Sequence, residues 1–243
     1  MKKSVLVATL LIVTCCSFAQ NNYVPPAKPY KVLVSVFAGP TLDWVQPSTV
    51  NYALVSPSLG ARVGIPVDIN LTDEENYYFS TGVHMKFDNT LLTFPEQYPF
   101  QNYVDTVITT RNYSAFYLTI PTGIKLKTNT FGKSVVGLNL GLYHSFFISG
   151  KTYDSFKINT LSSDQYSVTT TRKDNVYSAM FKESIYAGIG YEYRIKSNLR
   201  AYAYANYVFT FTNYFRLDSF NSVSGLKESA ITQGVELIVG IGL

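Results

Sequence analysis

Beyond Cys16 the chain contains no cysteine, which excludes disulfide staples and thiol chemistry from everything that follows. It has two histidines and one tryptophan, and charged residues make up 15% of its 243 positions, against roughly 25% in ordinary soluble domains. Past the N-terminus no apolar run approaches the roughly 18–20 residues of a transmembrane helix, and no stretch keeps a helical period. The formal net charge of +4 is small and evenly spread, which argues against a nucleic-acid partner. HExxH, GxSxG and phosphate-cradling glycine motifs are absent, so no catalytic, cofactor or metal set is expected. Aromatic residues, by contrast, are plentiful: 20 Tyr and 16 Phe, 15% of the chain with the tryptophan. Composition leaves a soluble all-β domain or a membrane β-barrel.

Met1-Lys2-Lys3, the apolar stretch from Val5 to Cys16 and the small-x-small Ser17-Phe18-Ala19 predict a secretory signal peptide cut before Gln20, since the apolar stretch is too short to span a bilayer. A lipoprotein signal acylated at Cys15 or Cys16 is the weaker reading, because Thr14 or Cys15 would stand where Gly or Ala is favoured. Cleavage after Ala19 leaves 224 residues, removes Lys2 and Lys3 from the 20 basic residues and takes both cysteines away. The formal charge falls to +2, since no acidic residue is lost. The expected organisation is a removed signal over 1–19, a short periplasmic lead over 20–29 and one barrel domain over 30–243.

Period-2 alternation is the main structural signal. Leu59, Ala61, Val63, Ile65, Val67 and Ile69 alternate with Gly60, Arg62, Gly64, Pro66 and Asp68. The same pattern starts again at Tyr77, Phe116, Val136, Ile185, Ala203 and Val235, and Tyr30 to Gly39 adds a further segment. This predicts eight strands. The gaps between them alternate long and short. Pro40 to Ser56, Asn89 to Asn112, Gly150 to Tyr177 and Arg216 to Lys227 are long; Asn70 to Asn76, Thr128 to Lys133 and Lys196 to Asn198 are short. Outer-membrane barrels have long outer loops and short periplasmic turns, and an even strand number leaves both termini periplasmic.

In a soluble lipocalin-like barrel the apolar face would point inward; in a membrane barrel the faces are reversed. The alternate face here mixes Gly, Ser and Thr with Arg62, Lys86, Lys125, Lys182, Glu192, Arg200 and Glu236. A narrow eight-strand interior needs such small residues beside a few long ones. Lipid also requires every ladder bond to be closed. The expected fold is an all-β, eight-stranded antiparallel up-and-down transmembrane barrel with a packed polar lumen. Arg62, Lys86, Glu192, Arg200 and Glu236 form its expected lumen network, acting as a structural plug or, alternatively, as the gate of a conduit. Arg62 and Glu236 are expected to pair across one intervening strand.

Phe37-Ala38-Gly39-Pro40, Tyr117-Leu118-Thr119-Ile120-Pro121, Tyr186-Ala187-Gly188-Ile189-Gly190-Tyr191-Glu192-Tyr193 and the signal ending in Gln20 resemble the PorT-like outer-membrane β-barrel family over most of the chain. Thr119 stands where such proteins often carry an acidic residue. The resemblance implies an integral outer-membrane barrel of a Gram-negative bacterium, reached after Sec-type export.

His144 falls in the apolar register and is expected to face lipid as an interfacial polar residue. His84 falls in the lumen register, where Ser80 or Asp88 would complete the minimum for a nucleophile and base, although a lumen-filling histidine is the commoner case. Asp73-Glu74-Glu75 reads as a solvated hairpin end. Tyr98, Tyr103, Tyr113, Tyr153, Tyr166 and Tyr177 fall in the long gaps, and Tyr98, Tyr103, Tyr153 and Tyr166 are candidate loop contacts. The expected role is non-enzymatic: envelope structure or loop-mediated interaction, or a membrane component of a secretion or surface assembly. Its expected partners are outer-membrane lipids and envelope or secretion-machinery proteins. A small-solute channel and a rim-active lipid enzyme are the alternatives.

Overall fold

The computed structural model describes residues 31–49, 51–72, 75–99, 104–158, 166–172, 178–196, 199–216 and 223–243. The expected signal peptide and most of the expected periplasmic lead lie outside these residues, so the 1–19 and 20–29 boundaries are not among the described features. The strands are β1 (Val32–Pro47), β2 (Ala53–Ser56), β3 (Ser58–Asn70), β4 (Tyr77–Pro99), β5 (Val104–Lys127), β6 (Ser134–Ile158), β7 (Tyr166–Arg172), β8 (Phe181–Lys196), β9 (Leu199–Thr210) and β10 (Ala230–Gly242). Eight of them close an antiparallel ring in the order β1-β3-β4-β5-β6-β8-β9-β10, while β2 is attached to β4 and β7 to β6. There is no helix among the described residues.

Ladder partners followed around the ring lead from Leu33 through Asp68, Ser80, Gly123, Gly141, Tyr186, Val208 and Gly234 back to β1 at Asp43, ten residues beyond the start. A stagger of that size in eight strands tilts them by ~40° to the barrel axis. Closure leaves no ladder edge in contact with lipid.

The outer surface is apolar over one band. Val34, Ile65, Val83, Ile124, Leu140, Ile189 and Leu237 all point outward and are exposed. Aromatic rings border it. Phe87 and Phe116 meet at 4.8 Å, and Phe146 and Phe181 at 5.1 Å, along one rim; Tyr77, Tyr191 and Tyr193 mark the other. From Tyr77 to Phe87, ten residues of β4 at ~3.3 Å each and ~40° tilt cover about 25 Å, the height of a lipid-facing band.

Beyond the Phe rim β4, β5 and β6 do not stop, and β1 runs on to Pro47 with β2 over Ala53–Ser56, which corrects three of the expected loops. Residues 89–99, 104–112 and 150–158 continue the ladders, and the same spacing and tilt carry them about 30 Å further. The physical reason is an inversion of environment. Outside lipid the outward residues become polar (Asn89, Asn112, Lys151), while the inward ones become apolar (Leu92, Phe94, Val107). The apolar alternation therefore changes phase while the strand itself continues. A bulge in β6 opposite Phe116 and Tyr117 shifts the register there. Tyr153 consequently points outward while Thr152 and Asp154 are buried.

Candidate functional site

Inside the barrel the polar side chains are stacked in pairs from one mouth to the other. At the mouth on the side of the described chain ends Glu75 Oε2 accepts hydrogen bonds from Arg194 and Arg200, each at 2.9 Å. This corrects the expectation of a solvated acidic turn: Glu75 folds under the barrel because, among the described residues, it is the nearest anion to both cations. Lys127 Nζ donates to Glu192 at 2.8 Å, Tyr204 Oη donates to the other oxygen at 2.8 Å, and Arg200 stands 3.9 Å from Glu192. Above them Lys125 and Ser80 both donate to Asp68.

At mid-height Arg62 Nη2 lies 2.8 Å from Glu236 Oε1, and the Arg62 guanidinium covers the Tyr143 ring at 4.0 Å. Tyr143 Oη donates to Glu236 Oε2 at 3.3 Å. Nearer the outer rim Lys86 bridges Asp43 at 2.9 Å and Asp88 at 3.3 Å, and Lys182 reaches Asp88 at 3.3 Å. All five expected network residues thus face the lumen, in three separate groups: Arg200 with Glu192, Arg62 with Glu236, and Lys86 with aspartates. Their counter-ions Asp43, Asp68 and Asp88 complete the set; Asp43 was legible in the odd-numbered register that Phe37 begins.

Small residues make this filling fit. A Cβ added at Gly190 would stand 2.2 Å from the Tyr204 ring, so glycine on β8 is what admits the tyrosine from β9. Among the described side chains, voids of about 10 and 40 Å³ open, and a single water already requires about 10–15 Å³. His84 borders the larger one, and neither of its nitrogens has a hydrogen-bond partner among the described residues. Ser80 donates to Asp68 and His84 bonds to neither Ser80 nor Asp88, so His84 fills the lumen, which is the commoner case, and the alternative nucleophile–base pairing is not made.

Beyond the lipid band the opposite mouth is capped. Val45, Tyr52, Leu92, Phe94, Tyr113, Tyr214, Phe215 and Ala230 form one buried cluster, with Tyr52 stacked on Phe94 at 4.5 Å. Arg111 grips Asp154 with two bonds of 2.5 and 2.8 Å and Glu96 at 3.0 Å. Tyr52 donates to Glu228. Burial pushes the Glu228 carboxyl above the usual carboxylate range, opposed by that hydrogen bond and by Arg111. Tyr113, expected in an outer loop, is fully buried in this cap because its odd position on β5 faces inward. Tyr153 is 37% exposed on the outer sheet. Tyr98 and Tyr166 lie on β4 and β7 with side chains outside the described set, and Tyr103 and Tyr177 lie outside the described residues.

On the lipid side His144 Nε2 is 3.0 Å from Thr122 Oγ1, and Nδ1 is 3.1 Å from Glu183 Oε1. His144 therefore faces outward as expected, but in company that its own strand did not reveal, since Thr122 is on β5 and Glu183 on β8.

Ail, the attachment invasion locus protein of Yersinia pestis, is similar at 14% identity, covering 88% of this chain and 100% of that one, with a TM-score of 0.36. Neisserial surface protein A shows 12% identity, coverage of 88% and 97%, and a TM-score of 0.39. OprG of Pseudomonas aeruginosa shows 10%, coverage of 89% and 96%, and 0.35. No curated protein matches the chain. The family model of the outer membrane protein beta-barrel domain matches residues 18–216, and the chain belongs to that family, which places it in the outer membrane.

Proposed function

We propose that this barrel is a sealed, non-conducting envelope protein that works through contacts made outside the membrane, and that its lumen carries out no chemistry. One observation carries this reading: the lumen is filled by opposed charges and closed above by the Tyr52–Phe94–Tyr113–Phe215 cap. Buried charges without partners would be very costly, and here each cation faces at least one carboxylate. The strands that continue past the lipid band raise a rigid outer sheet that carries Ile108 and Tyr153 exposed. Exposed aromatic and aliphatic side chains on a rigid scaffold favour protein recognition. A place as the membrane component of a secretion or surface assembly is one form of this contact-making role. Export by a Sec-type signal and periplasmic termini belong to the same proposal.

The test is a photo-reactive amino acid placed at Tyr153 on the outer sheet, or at Phe131 in the opposite turn. Cross-links from Tyr153 to a defined envelope protein, absent from Phe131, are expected. Equal labelling from both positions, or none from Tyr153, would reject the outer sheet as the contact surface.

A further inference from the structure

Between the two aromatic rims the outward-facing positions are almost all aliphatic, aromatic or alanine. Among the described residues His144 and Glu183 are the ionisable exceptions, and they are adjacent. Ionisable side chains in contact with lipid are costly and mark function more often than structure. Thr122 on β5 completes a row across three strands, with Oγ1 3.0 Å from Nε2 of His144 and Glu183 Oε1 3.1 Å from Nδ1. The order is specific. With Nδ1–H donating to the Glu183 carboxylate, Nε2 keeps its lone pair directed at the Thr122 hydroxyl, as a nucleophile, its base and the group that orients the base require. Glu183 is itself held in place, since its backbone N–H donates to Thr212 Oγ1 at 3.0 Å. His144 and Glu183 are 26% and 31% exposed, so a lipid can reach them.

We propose that Thr122, His144 and Glu183 form a lipid-facing hydrolytic site for ester-linked acyl chains of the outer leaflet. His144 lies two residues below Phe146 of the outer rim, about 5 Å at the strand rise and tilt, a depth where headgroup and hydrocarbon meet and acyl esters lie. Thr122 Oγ attacks the ester carbonyl while His144 Nε2 takes the hydroxyl proton. The acyl–oxygen bond breaks, and the departing alkoxide takes that proton from Nε2. Water then attacks the acyl-threonine, gives its proton to Nε2 and releases the fatty acid. The proton on Nε2 returns to Thr122 Oγ. Thr122 and His144 are the catalytic residues, and Glu183 is a positioning residue. Pro121, beside Thr122, has no backbone N–H to offer an oxyanion, and Thr122 and Gly123 lie in the β5–β6 ladder, so turnover is expected to be slow. This activity goes beyond the contact-making role and does not depend on it, because the row lies outside both the lumen and the outer sheet.

The test uses the full-length protein reconstituted in diacylphosphatidylethanolamine vesicles, with fatty-acid release read by mass spectrometry and Thr122 probed with an alkyl fluorophosphonate. Wild type is expected to release acid and to gain one adduct on the Thr122 peptide. Thr122→Val and His144→Ala should each lower the rate by ~10²–10⁴-fold, while Thr122→Ser retains it. Glu183→Gln should lower kcat with KM unchanged, and Glu183→Asp should restore part of the loss. Thr81→Val, at another outward threonine, should change nothing. Heat-dependent gel mobility confirms that each variant is folded. Folded wild type that releases no acid and takes no adduct, or labelling that survives His144→Ala, would overturn the assignment.

Discussion

Arg62 and Glu236 meet at 2.8 Å although they belong to β3 and β10, strands that never pair with each other. β1 stands between them, and both side chains reach past it into the lumen. The pair is almost completely excluded from solvent, and the Tyr143 ring closes it from the opposite wall. Replacing Glu236 by Ala strands the Arg62 charge and is expected to destabilise the barrel by ~3–5 kcal/mol. The double replacement Glu236→Ala with Arg62→Ala should recover part of that loss. Urea unfolding in detergent micelles, analysed as a double-mutant cycle, reads the difference; strictly additive losses would mean that the two charges are independent.

Lipid contact on the final strand makes a second prediction. Leu237 and Val239 are 49% and 56% exposed on the outward face, so Arg at either position should cost about 2–4 kcal/mol near mid-membrane. Gly240 faces inward, and an added Cβ would lie 2.4 Å from Tyr202 Cζ and 2.5 Å from the Val36 carbonyl oxygen. Gly240→Ala should therefore destabilise by crowding, to the same degree in thick and thin bilayers. The cost of Leu237→Arg should instead fall as the bilayer thins.

The outer cap titrates in the direction opposite to most ion pairs. Because burial raises the Glu228 carboxyl, the folded cap favours the protonated form. The contribution of Glu228 to stability is fully present below the ordinary carboxylate range and is lost as pH rises through the raised value. Glu228→Gln should remove that decline and stabilise the cap near neutrality relative to wild type. Hydrogen exchange of the Tyr52 and Phe94 segments at pH 4 and pH 7 reads the difference between the two proteins. A variant less protected than wild type at pH 7 would contradict the burial argument.

Arg111 holds the same cap from the side of β5. Arg111→Met removes the partner of Asp154 and Glu96 and should loosen residues 104–115 to proteolysis. The lipid-embedded ring should keep its heat-dependent mobility, since its own rungs from Tyr77 to Phe87 lie below those that carry Leu92, Arg111 and Asp154 on the same strands. Loss of both together would show that cap and barrel unfold as one unit.

Barrel closure, strand number and the Arg62–Glu236 contact were legible in the sequence because lipid and lumen impose opposite demands on alternate residues. Val63 beside Arg62 and Leu237 beside Glu236 display that contrast directly. The outer extensions were not legible, because Leu92, Phe94 and Tyr113 carry the apolar signal on the opposite face once the strands leave lipid. Glu75 was hidden for another reason: only closure brings Arg194 and Arg200 above its turn. The Thr122–His144–Glu183 row draws one residue from each of three strands, and no spacing along the chain announces it.

The claim that the lumen is a plug is tested most directly by conductance of the purified protein in planar bilayers. The paired charges and the small voids of about 10 and 40 Å³ among them predict no stable open level in wild type, and current through Glu236→Ala only if loss of the pair admits water. A steady conductance in wild type, unchanged in Glu236→Ala, would mean that the lumen is a water-filled path and that Arg62 and Glu236 do not close it.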